Sequence, residues 1–342
     1  MHRPLELTDP LTNIAVASLR IDASLAGYRE LARWALRFPE RRWAIENAKG
    51  LGCHLAQWLI ARDETVLDVA TTATLRVREL SRGGRRKNDV IDASAAASVA
   101  ALQGDAREVG AEDHTTLFAL LEERRANLAA QRVRSVNQLH ALMRDLIPGG
   151  ARTALTAKVA SAVLRAVRPV TPAERTRKDI AWDLVRDIRA LDERLTAIAQ
   201  RMTAALEEHG SSLIEVDGIG PVLGVRLIGR TGRADRFRSS DAFASYAGVA
   251  PIEVSSGERI KHRLSRSGDR QLNSALHLVA VTQVRMRASV GRQFFDRKIA
   301  EGKTRNEAMR CSKRRIAAHV WRRMLADEQR RRQRAETPAI AA

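Results

Sequence analysis

The chain has 342 residues, with 59 Lys and Arg against 40 Asp and Glu, giving a formal net charge of +19 at pH 7. Hydrophobic residues make up 44% of it but aromatic ones only 4%, so its cores must be built from Ala, Leu, Val and Ile, a bias that favours helices. A positive surplus of this size repels itself unless a polyanion is near, which makes nucleic acid the natural partner; the Arg excess runs through the patterned segments as well as the tail, against a merely solubilising surface. Cys53 and Cys311 are far apart and lack a CxxC partner, which excludes a disulfide framework or a zinc site and fits a reducing cytosol. No run of 18 apolar residues and no signal-peptide core is present, so the expected location is cytoplasmic, without a membrane span.

Along the chain, residues 12–21 read as extended structure, followed by an amphipathic helix over 24–36 with Leu25, Tyr28, Leu31 and Ala32 on one face. A short strand at 42–46, a helix over 51–61, a strand at 65–69 and a helix over 89–102 complete an alternation that argues for an α/β layer over residues 1–110. From about Thr115 the pattern changes. One stripe runs through Leu117, Leu121, Leu128, Val136, Leu139 and Leu146, and a second through Leu184, Ile188, Leu191, Leu195, Ile198 and Met202. Their spacing is close to that of a coiled coil, so residues 111–209 read as a helical arm that packs on itself or on a second subunit. After His209-Gly210 a compact helical domain is expected over 210–312, then an Arg-rich helix and a disordered end over 313–342.

Three segments have the residue types for chemistry. Asp89 and Asp92 stand three apart at a helix start and so share a face, and Glu46 ends the strand at 42–46. Three such acids suit a site of hard oxygen ligands for Mg²⁺ or Mn²⁺, as phosphodiester chemistry requires, although an acidic pair in a first helical turn also serves as a cap responding to the helix dipole. Gly218-Ile219-Gly220-Pro221 resembles the turn of helix-hairpin-helix modules, where Gly218 and Gly220 would let backbone N–H groups approach a phosphate; an ordinary helix start with Pro at its first position is the alternative. Ser255-Ser256-Gly257, followed by Arg259, Lys261, Arg263 and Arg266, offers a hydroxyl in a turn beside cations that would hold a phosphate, or a plain loop.

In order, Trp43-Ala44-Ile45-Glu46, Lys87-Asn88-Asp89-Val90-Ile91-Asp92-Ala93, Gly218-Ile219-Gly220-Pro221, Tyr246-Ala247-Gly248-Val249-Ala250-Pro251, Ser256-Gly257, Ser267-Gly268-Asp269 and Glu301-Gly302-Lys303 before Ala308-Met309-Arg310 resemble the IS110 family of insertion-sequence transposases, over roughly residues 13–325. The resemblance implies an RNase H/RuvC-like domain with a DEDD metal site, a coiled-coil arm and a C-terminal transposase domain with a catalytic serine. Glu46, Asp89 and Asp92 match the second, third and fourth acids. Ser256 matches the serine, with Ser255 its nearest competitor. It also implies Mg²⁺-assisted attack by Ser256 to give a phosphoserine link to DNA, an active site shared between subunits of a homo-oligomer (dimer or tetramer), and a structured noncoding RNA that pairs with donor and target DNA.

The chain departs from the family at its start. Met1 to Thr12 is polar and holds no strand like the one that carries the family's first acid. Asp9 and Asp22 do not follow an apolar strand, and Asp22 suits the entrance to the next helix, so the expectation is an N-terminally truncated transposase lacking one acid. Ala48-Lys49 replaces a small-polar/Gly pair, and Asn273 stands where many members place Arg. Two other readings fit: a RuvC-type junction nuclease that needs no serine, and an inactive nucleic-acid-binding remnant.

Overall fold

The structure, a computed structural model, describes residues 2–80, 89–102, 106–151, 154–256, 259–264 and 268–336. It divides into two compact units, Met1–Glu112 and Asp113–Ala342. Among the described residues no helix is long and apolar enough to cross a membrane.

The first unit opens with a hairpin of β1 (His2–Thr8) and β2 (Ala15–Asp22), paired antiparallel from His2↔Asp22 to Thr8↔Ala15. The N-terminal stretch, read from its polarity as having no strand, therefore forms one. It contains only Leu5 and Leu7 as large apolar residues, too few for a periodic signal; its partner supplies the rest, and Leu5, Leu19 and Ile21 join a common core. Asp9 builds the hairpin turn, accepting from the Leu11 N–H (3.0 Å) and the Thr12 hydroxyl (2.8 Å), and these bonds hold its carboxyl below the usual range. Asp22 ends β2, and its carbonyl accepts from the Ser24 N–H as the chain turns into α1 (Leu25–Ala35), which Ser24 caps through its hydroxyl. The buried face of α1 is Gly27, Tyr28, Leu31 and Ala35; Leu25, expected inside, is exposed.

β3 (Trp43–Glu46) and β4 (Val66–Val69) run parallel, with Glu46 opposite Val69, and the short β5 (Arg107–Glu108) closes the sheet antiparallel. Between β3 and β4 lies α2 (Cys53–Ile60); after β4 come α3 (Thr71–Leu80) and α4 (Asp89–Leu102). The period-two rule sorts the side chains. Trp43, Ile45 and Val66 face a core shared with Tyr28, Leu31, Leu55 and Leu59, whereas Ala44 and Val69 face Ala73, Val77, Ala96 and Val99. Helix α3 escaped sequence reading because Thr71-Thr72 suggest strand or turn.

The second unit is helical apart from one hairpin. α5 (His114–Leu146) and α7 (Pro172–His209) pair antiparallel: Phe118 meets His209, Arg132 binds Asp192, and Asp145 binds Arg177. α6 (Ala157–Ala166) closes the far end, where Leu139, Met143, Leu164, Val185 and Ile188 form a core. Within one chain the arm packs on itself. Nearly all the expected stripe positions are buried or half-buried; Leu117, 46% exposed, is not.

α8 (Pro221–Thr231), α9 (Ser240–Tyr246), α10 (Arg270–Arg285), α11 (Val290–Ala300) and α12 (Arg305–Glu336) pack around the other core, which also takes Phe118, Leu121, Leu128, Ile198, Met202 and Leu206 from α5 and α7. That core crosses the boundary expected at residue 209. The boundary expected at 312 falls inside α12, whose Ile316, Ala317, Val320 and Met324 are core residues, so the Arg-rich segment is a structural helix with a narrow apolar stripe. Residues 337–342, expected to be disordered, lie outside the described residues. A strand pair, β6 (Pro251–Ser256) and β7 (Arg259–Leu264), interrupts the helices, where sequence reading expected only a turn.

Two buried carboxylates fasten α12, one of them Glu328, which accepts from the Ala234 and Asp235 N–H groups. Asp327, 2% exposed, accepts from the Ser211 hydroxyl (2.9 Å), the Ser212 N–H (2.9 Å) and the Ser212 hydroxyl (2.8 Å), and pairs with Arg330. Asp327→Ala leaves these donors buried without an acceptor, so the second unit's stability falls by about 3 kcal/mol, read from the shift in its denaturant midpoint.

At the root of the arm, the His114 and His209 rings lie 4.5 Å apart, and the Arg331 guanidinium donates to both at 3.4 and 3.5 Å. Burial first, then the Arg331 and His114 charges, push the His209 imidazole down to about 4. The unfolded chain thus binds more protons than the folded one between pH 6.5 and 4. This contribution is complete above pH 6.5 and is lost as the pH falls through that window. Half-exposure reduces the effect to about 1–2 kcal/mol. Thermal melts at pH 7 and 4.5 should show a smaller acid-induced drop for His209→Gln than for the wild type.

Candidate functional site

Glu46 is the last residue of β3 and, two positions on from Ala44, points to the side of the sheet that α3 and α4 cover. Thr74, 4% exposed in α3, donates its hydroxyl to Glu46 Oε1 at 2.7 Å, and the same hydroxyl lies 2.9 Å from the Thr71 carbonyl. The chain then turns sharply at Asn47 (φ 51°), and the N–H groups of Gly50 and Gly52 return to the Asn47 carbonyl. Asp68, on the opposite face of β4, accepts the N–H of buried Ala48 at 2.8 Å and so fixes the turn that follows Glu46. Sequence reading singled out neither Thr74 nor Asp68. The signal for Asp68 was an acid inside an apolar strand; for Thr74 there was none beyond a threonine-rich helix start.

Asp92 lies on α4 one turn before Ala96, with Val99 and Ala100 continuing the same stripe, and it is this stripe that meets Val69 and Ala44. Asp92 and Glu46 therefore share one side of the sheet. α4 is nearly all Ala and Ser between Ala93 and Ser98, which lets it lie close to the strands. The Asp89 backbone opens α4 on the same stripe; its side chain is outside the described residues, as are Lys87 and Asn88. Among the described residues no group of three His, Cys, Asp or Glu forms a metal-binding cluster. The donor chemistry suits a hard divalent cation nonetheless: the carboxylates are oxygen donors on one face, and Thr74 occupies a single oxygen of Glu46.

In the second unit, Gly218 has φ +83° and lies against Thr282 and the Val279 carbonyl of α10, so a side chain there would be both strained and crowded. Gly220 is the N-cap of α8, with Pro221 in its first turn and no side-chain cap. This is the helix start that the sequence allowed as the alternative to a phosphate-binding hairpin, and its geometry is compatible with either role.

Ser256 ends β6, opposite Arg259, and Ser255 lies opposite Ile260; Lys261 pairs with Val254, and Arg263 with Ile252. The side chains of both serines and of Arg259, Lys261 and Arg263 lie outside the described residues, as do Gly257, Arg266 and Ser267 entirely. The base of this hairpin is built in detail. Gly248 (φ +66°) and Gly268 touch backbone to backbone, and a Cβ on Gly268 would lie 2.2 Å from the Gly248 Cα. The Asp269 N–H donates to the Tyr246 carbonyl (2.8 Å), while the Asp269 carboxylate caps α10 through the Gln271 and Leu272 N–H groups and pairs with Arg230 at 2.7 Å. Asn273 donates to the Gly248 carbonyl (2.7 Å) and accepts from Lys313, whose ammonium is pushed down by burial. Asn273 thus locks the hairpin base. These contacts explain in physical terms why Tyr246 to Pro251 and Gly268-Asp269 belong together: they are the two feet of one hairpin.

A family model described as a transposase, of the DEDD type named for IS110, matches residues 8–148, and a second, described as the transposase IS116/IS110/IS902 family, matches residues 210–296. The 44.8 kDa protein of insertion element IS116 from Streptomyces clavuligerus is 26% identical over 336 residues, covering 84% of this chain and 83% of that protein. The 42 kDa protein of insertion element IS900 from Mycobacterium paratuberculosis is 28% identical over 332 residues, covering 82% of each chain. The 43.6 kDa protein of insertion element IS110 from Streptomyces coelicolor is 32% identical over 152 residues, covering 43% of this chain and 37% of that one. The acid-bearing sheet face of the first unit and the clamped hairpin of the second each lie within one of the two matched segments, and the chain belongs to the IS110 family of insertion-sequence transposases.

Proposed function

We propose that the chain cuts and rejoins DNA with two groups: a carboxylate site on the α4-covered side of the first sheet, and the Ser256 hydroxyl at the tip of the β6–β7 hairpin. The observation that carries this reading is the shared sheet face of Glu46 and Asp92, with Thr74 fixing the orientation of the Glu46 carboxylate. Glu46, Asp89 and Asp92 would hold Mg²⁺ or Mn²⁺, and a divalent cation there supplies charge neutralisation at the scissile phosphate. Ser256 Oγ attacks phosphorus; an O–P bond to serine forms, one phosphodiester P–O bond breaks, and the departing oxygen takes a proton to become a free hydroxyl. A hydroxyl from another strand end reverses the step, so joining needs no external energy source. The clamped hairpin base keeps the serine end of β6 on a rigid support.

The N–H groups at the Gly220 end of α8, with Arg259, Lys261, Arg263 and Arg266, bind backbone phosphates in this reading. A structured noncoding RNA and a second copy of the chain complete the complex. The test is a strand-exchange assay with the full chain, Mg²⁺, DNA carrying the ends of its own element, and RNA transcribed from that element. Joined products that require both metal and RNA support the reading. Metal-dependent cutting without joining favours the junction-nuclease alternative, and salt-sensitive binding without cutting favours the remnant.

A further inference from the structure

One surface of the second unit, formed by α11 and α12, gathers several cations. On α11, Phe294 is surrounded by cations: the Arg315 guanidinium of α12 lies 4.5 Å from the ring centre, that of Arg297 at 5.2 Å, and the Lys298 ammonium at 5.5 Å. Beyond Arg315, the same face of α12 carries His319 and Arg322, at helical steps of four and three. Arg297, Arg315, His319 and Arg322 are all exposed. Lys298 and Arg323 have carboxylate partners in Glu301 and Glu215, but among the described residues Arg297, Arg315 and Arg322 form no ion pair. Although exposed, the His319 ring is partly desolvated against its neighbours, and this and then the Arg323, Arg322 and Arg315 charges push its imidazole down.

A row of cations that repel one another across a folded surface is stabilised by an external polyanion. From Arg315 to Arg322 the row is about 10 Å long at 1.5 Å per residue, a length over which a duplex presents roughly six phosphates. Phe294 already has three cations around it and is not free to stack on a base, so the surface suits backbone rather than base recognition.

We infer that the α11–α12 face bearing Arg297, Arg315 and Arg322 is a docking surface for the phosphate backbone of a nucleic-acid duplex, separate from the helix start at Gly220 and from the β6–β7 hairpin. This inference rests on the reading of the chain as a protein that acts on nucleic acid. The occupant is a DNA duplex, the molecule that the proposed reaction cuts and joins; an RNA duplex in its place is an outcome of the test. Affinity for a 30-base-pair DNA duplex, and for the RNA duplex of the same sequence, is measured against KCl concentration. The proteins are the full chain, Arg322→Gln, Arg315→Gln/Arg322→Gln, and a control, Arg186→Gln, on α7.

Each lost phosphate contact lowers the slope of log K against log salt by about 0.9. The single variant should lose about one unit of slope and the double about two, with roughly 10- to 100-fold weaker binding at about 0.1 M salt; the control should match the wild type. Loss with the DNA duplex supports the inference; loss with the RNA duplex alone overturns the assignment to DNA. Arg322 touches no ring, so its substitution leaves the Phe294 contacts intact. Wild-type slopes in both variants, on both duplexes, overturn the inference while leaving the transposase reading in place. Failure of the wild-type chain to bind either duplex overturns both.

Discussion

Glu46→Ala and Asp92→Ala should each lower metal-dependent strand cleavage by about 10³-fold or more, an increase of about 4 kcal/mol in the barrier, with duplex binding unchanged. Each removes a hard oxygen donor from the side of the sheet that α4 covers. Neither is a core residue, and the Glu46 carboxylate is held by the Thr74 hydroxyl. Folding should therefore survive, and the far-ultraviolet circular dichroism and melting temperature serve as the control. Thr74→Val provides a graded arm: it keeps the shape but frees Glu46 to turn, so cleavage should fall about 10- to 100-fold and recover in Thr74→Ser. Loss of cleavage with equal loss of melting temperature would mean that the acids are structural, the helix-cap role that the sequence also allowed.

Ser256→Ala should abolish strand joining, by about 10⁴-fold or more, because in the proposed reaction this hydroxyl carries the DNA between breaking and joining. Ser255→Ala separates the two candidates. One residue along a strand is a change of face, so only one hydroxyl can be presented to the phosphate, and Ser255→Ala should retain joining within about 10-fold. If Ser255→Ala is the inactive variant, the serine assignment moves by one residue and the rest of the account stands. If both single variants still join strands, the nucleophile lies elsewhere.

The strands and helices around the acids were legible because their signals are local: Trp43 to Glu46 and Val66 to Val69 are short apolar runs, and Asp89 to Leu102 is a helix of small residues. Elements stabilised mainly by distant partners were not. β1 contains two large apolar residues and gains the rest of its packing from β2, so the polar reading of Met1 to Thr12 missed it. The β6–β7 hairpin is held at its feet by a glycine-on-glycine contact and by Asn273, Asp269 and Arg230, residues spread over more than forty positions. The Arg-rich helix after residue 312 was expected, but not its place in the core, because its narrow stripe of Ile316, Ala317, Val320 and Met324 is diluted by arginines, and because Asp327 is recognisable as an anchor only beside Ser211 and Ser212. The candidate acids were found by spacing and family order. Thr74 and Asp68, which fix Glu46 and the turn after it, became visible only once β3, β4 and α3 were folded together.

The most discriminating measurement is to trap the reaction of the full chain with labelled element-end DNA, RNA and Mg²⁺, digest the protein, and map by mass spectrometry the residue that carries a nucleotide. The account predicts a nucleotide linked through phosphate to Ser256, absent when Mg²⁺ is chelated and absent in Asp92→Ala. Efficient metal-dependent cleavage with no protein–DNA link, unaltered in Ser256→Ala, would contradict it and leave a metal-dependent nuclease in its place.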